Sequence, residues 1–348
     1  MPGPSLTLLW ALRSHCASHG CLYCYFGTIQ EHRDARPATP GALSHLSPDD
    51  LTAPEISAFA RTLGDSAVRR VFLAGGEPLL WRPIAGLIEI LKAQGLEVVV
   101  CTSGVALARA EISAALVSLG VDAVSVSLDS ADPGRNDAWR PPRHDDDGHA
   151  RVIQGIRTLI SCRGSLDRPR TGIYSVITRL NIGDITAVPR LAAELGCDYA
   201  VPQPVSLPAG HKLASVLGLT GQHLPELHRE FTALYAAGLP VRLPAPSYPG
   251  HVAAAVTSPA GHVPGCFGGH TLYFIEPDGS VWDCPSSLKI AATPVQDRRS
   301  IKNADASVLF AQPCSPARDC ALFSVDCVNM WPLHGFDAML ATPMRGRS

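Results

Sequence analysis

Six short apolar, β-rich runs alternate with amphipathic stretches along the first part of this chain. The runs cover residues 6–12, 70–73, 97–102, 123–127, 172–177 and 199–201. Between them, residues 54–63, 83–94, 108–119, 150–162 and 185–195 repeat apolar side chains at helical spacing. Gly95, Gly120 and Gly196 fall just past three of these stretches, where a left-handed helix cap favours glycine. A strand-then-helix unit repeated in this way implies an α/β fold with a parallel sheet and right-handed crossovers. Periodicity leaves open whether the sheet curls into a partial barrel or stays an open doubly wound sheet. In either arrangement ligands belong at the C-terminal ends of the strands.

A chain of 348 residues suggests one large domain plus a smaller one. At 46% hydrophobic and 17% charged residues it has enough apolar material for a sizeable core. Net charge is −2 with no dense run of Lys and Arg, so no nucleic-acid footprint is expected. The apolar run 6–12 is too short for a membrane span and lacks the flanks of a signal peptide, so the expected compartment is the cytoplasm. After about residue 205 the pattern changes. A helix is expected over 224–237, a Pro-rich linker over 239–249, and a hairpin of 272–275 with 280–283 around Pro277-Asp278-Gly279. The last segment shows little periodicity. Residues 145–147, three aspartates, read as a solvated loop. The division expected is a core domain over 1–240 and a smaller one over 250–335.

Eleven cysteines fall largely in two clusters, which favours metal or redox chemistry over a disulfide framework. At the front, Cys16-Ala-Ser-His-Gly-Cys21-Leu-Tyr-Cys24 follows the first strand. Three thiolates on one loop can hold three irons of a [4Fe-4S] cube. The fourth iron is then open to a small molecule with an amine and a carboxylate. Gly20 lets the loop turn, and Tyr23 offers an aromatic face. Taken alone, the loop also suits structural zinc, with His15 or His19 as a further ligand. Gly75-Gly76-Glu77-Pro78 follows the second strand, where two glycines allow close backbone approach to a ligand and the strand end presents carbonyls and a carboxylate to an ammonium group.

The chain here resembles the radical S-adenosylmethionine (radical SAM) superfamily over roughly residues 5–205. The resemblance rests on the three-cysteine loop, on Gly75-Gly76-Glu77-Pro78, on Cys101-Thr-Ser-Gly104 after the third strand, on Ser125-Val-Ser-Leu-Asp129 and on Arg179-Leu-Asn181. It implies a partial (β/α)6 barrel and reductive cleavage of S-adenosylmethionine (AdoMet) to methionine and a 5′-deoxyadenosyl radical. It further implies that Cys16, Cys21 and Cys24 ligate the cluster, and that Gly75, Gly76 and Glu77 bind the AdoMet amino group. Ser127 and Asp129 match positions near the ribose or carboxylate, and Arg140, Asn181 and Tyr23 complete the expected pocket. The family's usual loop has three residues between its first two cysteines. This one has four, and Ser103 stands where many relatives carry Asn.

At the rear, Cys266 and Cys284 flank the expected hairpin, and Cys314, Cys320 and Cys327 follow at spacings of five and six residues. This resembles the auxiliary-cluster extension called SPASM or its shorter form, twitch, and implies one auxiliary [4Fe-4S] cluster. A zinc knuckle stapling a core-poor domain is the other reading of the same residues. Of the isolated cysteines, Cys162 reads as core, while Cys101 and Cys197 lie near strand ends and are candidate hydrogen-atom donors.

The function implied is that of a radical SAM oxidoreductase or maturase in natural-product biosynthesis. Its substrate is either a ribosomal peptide, crosslinked, converted to a thioether or epimerised, or a small molecule such as an aminosugar. Its electron donor would be a flavodoxin or ferredoxin. With fifteen residues before Cys16, the N-terminal leader-binding domain of many peptide-modifying relatives is not expected. From other classes, a zinc-binding scaffold without radical chemistry would be colourless. An AdoMet methyltransferase would carry Gly-x-Gly after its first strand rather than this pattern.

Overall fold

The structure is a computed structural model and describes residues 6–14, 16–24, 49–144, 148–207, 211–257, 261–311 and 318–341. Six parallel strands form its centre in sequence order: β1 (Leu6–Ala11), β2 (Val68–Ala74), β3 (Glu97–Thr102), β4 (Ala123–Ser127), β5 (Arg170–Ile177) and β6 (Tyr199–Pro204). The crossovers carry α1 (Ala53–Ala60), α2 (Ile84–Ala93), α3 (Ala110–Ser118), α4 (Pro133–Trp139), α5 (His149–Arg163) and α6 (Ala187–Glu194). All six expected strands and the five helices expected between them are present; α4 is additional. Gly95, Gly120 and Gly196 adopt φ of 74°, 68° and 78°, as their cap positions require. Helix α1 begins with a reciprocal cap, in which Thr52 Oγ1 accepts from the Glu55 N–H and Glu55 accepts from the Thr52 N–H.

Each central strand is buried on both faces, which is why its sequence reads as a continuous apolar run. In β1, Leu6, Leu8 and Trp10 pack with Ile56, Phe59 and Leu87 on the helical side, while Leu9 and Ala11 face the interior with Phe72, Val99 and Tyr199. The interior also settles the choice between an open and a curled sheet. Phe72 of β2 and Tyr199 of β6 both make edge contacts with the ring of Phe336, at centroid distances of 4.9 and 5.5 Å. Four strand spacings in a flat sheet would separate them by ~19 Å. The sheet therefore curls, giving a partial barrel with the C-terminal Phe336 plugging its interior.

The later part of the chain continues with α7 (Leu224–Ala236), α8 (Tyr248–Thr257), β7 (Gly261–Cys266), β8 (Leu272–Ile275), β9 (Ser280–Trp282), α9 (Ser287–Ala292), β10 (Arg299–Ser300), β11 (Arg318–Phe323) and α10 (Val325–His334). The expected hairpin is β8–β9, paired Phe274 to Trp282 and Ile275 to Val281. Strand β8 also pairs in parallel with β1, so the rear segment extends the same sheet rather than standing apart from it. Two expectations need correction. The stretch 239–249 is not linker throughout, since Tyr248 opens a helix whose Val252 and Ala255 are buried. The last segment is not aperiodic: β11 pairs with β7, and α10 follows directly. Pro332 inside α10 obscured the helical pattern of Val325 and Val328.

Candidate functional site

One large cavity, open to solvent, lies at the C-terminal ends of the strands. Cys16, Cys21 and Cys24 line one side of it, with Gly75 and Gly76 beside them. The cysteine loop is seated against the segment after α4 by a short backbone ladder. The Gly20 and Leu22 N–H groups donate to Pro141 O and Trp139 O at 2.9 and 3.1 Å, and the Arg143 N–H donates to Ser18 O at 3.0 Å. The fourth intervening residue is thus held in paired backbone instead of projecting freely. His19 is buried, its imidazole pushed down to about 3 by burial and by Arg140, so it is neutral at working pH. Its Nε2 is buried without a hydrogen-bond partner.

Gly75 and Gly76 both have positive φ, 77° and 59°. A Cβ on Gly75 would lie 2.8 Å from the Cα and Cβ of Ala11, so strand β1 passes where a side chain would be. A Gly75→Ala change combines a left-handed cost of ~1–2 kcal/mol with overpacking of ~1–3 kcal/mol. The expected result is a lowered denaturation midpoint, read by scanning calorimetry. An unchanged midpoint would show that the turn tolerates a side chain.

The expected cofactor residues divide into two groups. Tyr23, Gly75, Gly76, Ser127 and Arg140 line the cavity. Glu77, Asp129 and Asn181 are buried and are not among its lining residues. The Glu77 carboxylate accepts from the Leu79 N–H (3.1 Å), Thr102 Oγ1 (2.7 Å) and the Ser103 N–H (2.6 Å), which ties the glycine turn to the end of β3. Asp129 accepts from the Tyr23 hydroxyl, from Arg140 at 3.2 Å and from the Val176 N–H at 2.7 Å. Asn181 donates to the carbonyls of Asp129 and Val176, both at 2.9 Å. These three hold the lining groups in position; the sequence motifs do not separate the two roles, because both kinds of residue sit in the same short segments.

Cys101 lines the cavity, and burial, then the nearby Glu77, pushes its thiol up to about 12, so it keeps its proton. Cys197 does not line it. It packs in the main core with Val188 and Leu195, at the N-terminal end of β6 and so opposite the ligand-binding end of the strands, which removes it as a hydrogen-atom donor.

The far wall of the cavity comes from β5, β6 and α10, and includes Tyr174, Gln203, Asn329, Met330 and Leu333. The sequence did not point to Asn329, Met330 or Leu333 of α10, for the reason given above. Tyr174 Oη and Asn329 Oδ1 are buried with no hydrogen-bond partner.

Behind α10 lies a second, small apolar pocket lined by Cys266, Cys284, Cys320 and Cys327. Strand pairing of β7 with β11 brings Cys266 near Cys320. The β8–β9 hairpin returns Cys284 to within 3.5 Å of a Cβ built on Gly268. Cys327 stands in the first turn of α10. Burial raises the thiols of Cys266, Cys284 and Cys327, the last to about 11. Asp326 and Met330 line both pockets, so α10 is their shared wall. Cys314, His15 and residues 145–147 lie outside the described residues. Among the described residues no three His, Cys, Asp or Glu side chains converge on a single-ion site. No helix among them is long and apolar enough to cross a membrane.

Residues 14–179 match the family model described as the Radical SAM superfamily. The chain is 30% identical over 214 residues to a probable GTP 3′,8-cyclase of Methanopyrus kandleri, covering 60% of this chain and 61% of that protein. It is 31% identical over 197 residues to one of Sulfurisphaera tokodaii, covering 56% and 55%. The chain thus spans about three fifths or less of these relatives' lengths. Among solved structures, native anSMEcpe with bound AdoMet and Kp18Cys peptide aligns over 96% of this chain and 97% of its own, at 14% identity and TM-score 0.63. Streptococcus suis SuiB bound to S-adenosylmethionine aligns over 88% and 65%, at 16% identity and TM-score 0.59. These likenesses concern the fold, and the first extends across the rear segment.

Proposed function

We propose that this chain is a radical SAM enzyme that abstracts a hydrogen atom from an uncharged substrate, a peptide segment before a small molecule. The observation that carries this reading is the convergence of Cys16, Cys21, Cys24 and the Gly75-Gly76 turn on one cavity at the strand ends. The residues fit the group they would hold: three thiols on a seated loop, a turn at Gly75 with no room for a side chain, and a cavity between them that opens at the strand ends. Cys16, Cys21 and Cys24 would hold a [4Fe-4S] cluster, which would supply the electron for reductive cleavage of AdoMet. Gly75 and Gly76 would present backbone groups to the AdoMet ammonium, with Glu77 fixing their turn. Ser127 and Arg140 would face the ribose or carboxylate, Arg140 being oriented by Asp129. The largely apolar walls would limit water at the reacting centre, and the Cys101 thiol among them would be available to return a hydrogen atom where the reaction requires one.

Cys266, Cys284, Cys320 and Cys327 would hold an auxiliary [4Fe-4S] cluster, forming a twitch-type extension over about 250–335 behind a core over 1–240. Helix α10 would then separate that cluster from the substrate. An external flavodoxin or ferredoxin would supply electrons.

The relatives named as GTP cyclases raise a second substrate, and the far wall argues against it. Its described lining contains no Lys or Arg, and its one charged residue is Asp326, a carboxylate engaged by Ser206 and Ser287. Arg140 and Arg143 lie on the cysteine side, Arg140 already paired with Asp129. A triphosphate is normally met by several cationic groups. The other far-wall residues, among them Tyr174, Gln203, Asn329, Met330 and Leu333, are uncharged and suit an uncharged group instead. In equilibrium dialysis of the reconstituted protein with AdoMet present, GTP is expected to bind more weakly than about 1 mM. Micromolar retention of GTP would reverse the substrate assignment, whereas 5′-deoxyadenosine release stimulated by an uncharged peptide would support it.

A further inference from the structure

Ser18 sits inside the front cysteine loop and is fully buried. Its hydroxyl has three neighbours: Cys16 Sγ at 3.2 Å, Ser103 Oγ, to which it donates at 3.0 Å, and His19 Nδ1 at 3.1 Å. A hydroxyl has one proton and two acceptor lone pairs, so three contacts use its whole capacity. Which neighbour receives the proton depends on Cys16. A Cys16 thiol can donate to Ser18 and leave the serine proton to Ser103. A Cys16 thiolate can only accept, whereas the Ser103 hydroxyl and an Nδ1-protonated imidazole can both donate. The serine proton can then turn from Ser103 to the sulfur, with the Ser103 hydroxyl reversing to donate to Ser18. Ser103 is itself anchored, because its backbone N–H donates to Glu77 Oε2 at 2.6 Å. One chain of bonds thus runs from the glycine turn through the end of β3 to the first cysteine.

We propose that the Ser18 hydroxyl, oriented by Ser103, donates a hydrogen bond to the Cys16 thiolate and raises the reduction potential of the cluster held there. This rests on the reading of Cys16 as a cluster ligand given above. Hydrogen bonds to the sulfurs are among the factors that set iron–sulfur potentials, and outer-shell partners tune the ligands they touch. A donor to sulfur withdraws electron density and favours the added electron. Because Ser18 and Ser103 are both buried, bulk water is not at hand to replace the hydroxyl when it is removed. Ser18 acts through Cys16 and is a positioning residue in this scheme.

The test compares wild type, Ser18→Ala, Ser18→Thr and Ser103→Ala after anaerobic reconstitution. Iron and sulfide are counted, and the midpoint potential of the front cluster is titrated by EPR. The front cluster is identified as the signal that changes when AdoMet is added. Ser18→Ala is expected to titrate at lower potential than wild type with undiminished iron. Ser18→Thr, which keeps the hydroxyl, should match wild type, and Ser103→Ala should fall between. Equal potentials for wild type and Ser18→Ala at equal iron overturn the proposal. If Ser18→Ala loses iron, Ser103→Ala decides: a lowered potential supports the relay and an unchanged one overturns it. A wild-type protein with no AdoMet-responsive cluster would instead defeat the ligand assignment, and the relay with it.

Discussion

The triple variant Cys16→Ala/Cys21→Ala/Cys24→Ala is expected to release no 5′-deoxyadenosine under dithionite and to hold about four fewer irons per chain than wild type. The three side chains are half-buried on a loop at the cavity's edge and outside the core clusters, so their loss removes ligands without opening a core cavity. The loop itself should stay seated, because its contacts with residues 139–143 run through backbone N–H and carbonyl groups that alanine retains. Circular dichroism and the thermal midpoint should therefore stay close to wild type while iron and activity fall together. Wild-type release of 5′-deoxyadenosine from this variant would remove the three thiolates from the mechanism. A collapse in folding would mean that the loop needs its sulfurs for stability, and single substitutions scored by iron content would then replace the triple.

The strands were legible because a sheet buried on both faces must be written in apolar runs, and the helices because each buries only one stripe. Helix ends were legible where glycine marks the cap, as at Gly95, Gly120 and Gly196. The cysteine loop and the glycine turn were legible because their residue types carry chemistry that few other arrangements need. What the sequence did not separate was facing from supporting. Glu77, Asp129 and Asn181 occupy the same motifs as the lining residues, and only hydrogen-bond geometry shows their side chains engaged within the protein. Nor could local pattern reveal β8 beside β1, since that pairing joins residues more than two hundred and sixty positions apart. Cys101 and Cys197 looked alike as isolated cysteines near strand ends. They differ because one stands at the C-terminal end of β3 and the other precedes β6, a distinction that follows from strand direction alone.

The rear pocket yields the second large effect. In the double variant Cys284→Ala/Cys327→Ala, iron is expected to fall from about eight to about four per chain, with the front cluster retained. Both thiols are held in a small apolar pocket where burial keeps them protonated in the absence of metal. Metal binding must displace those protons, so filling of the site is expected to weaken as pH falls. Basal 5′-deoxyadenosine release should survive, because Cys16, Cys21 and Cys24 are untouched. Turnover of a stimulating peptide should fall at least tenfold, a barrier change of about 1.4 kcal/mol, since α10 carries both Cys327 and the far-wall residues Asn329 and Met330. The wild-type count also separates the alternatives at this pocket. Close to eight irons per chain, halved in the variant, supports a second cube. One zinc and about four irons in wild type would make the rear site a structural staple and leave the front chemistry intact. Iron unchanged between wild type and variant would mean that the four sulfurs, although gathered around one pocket, do not bind the cluster at all.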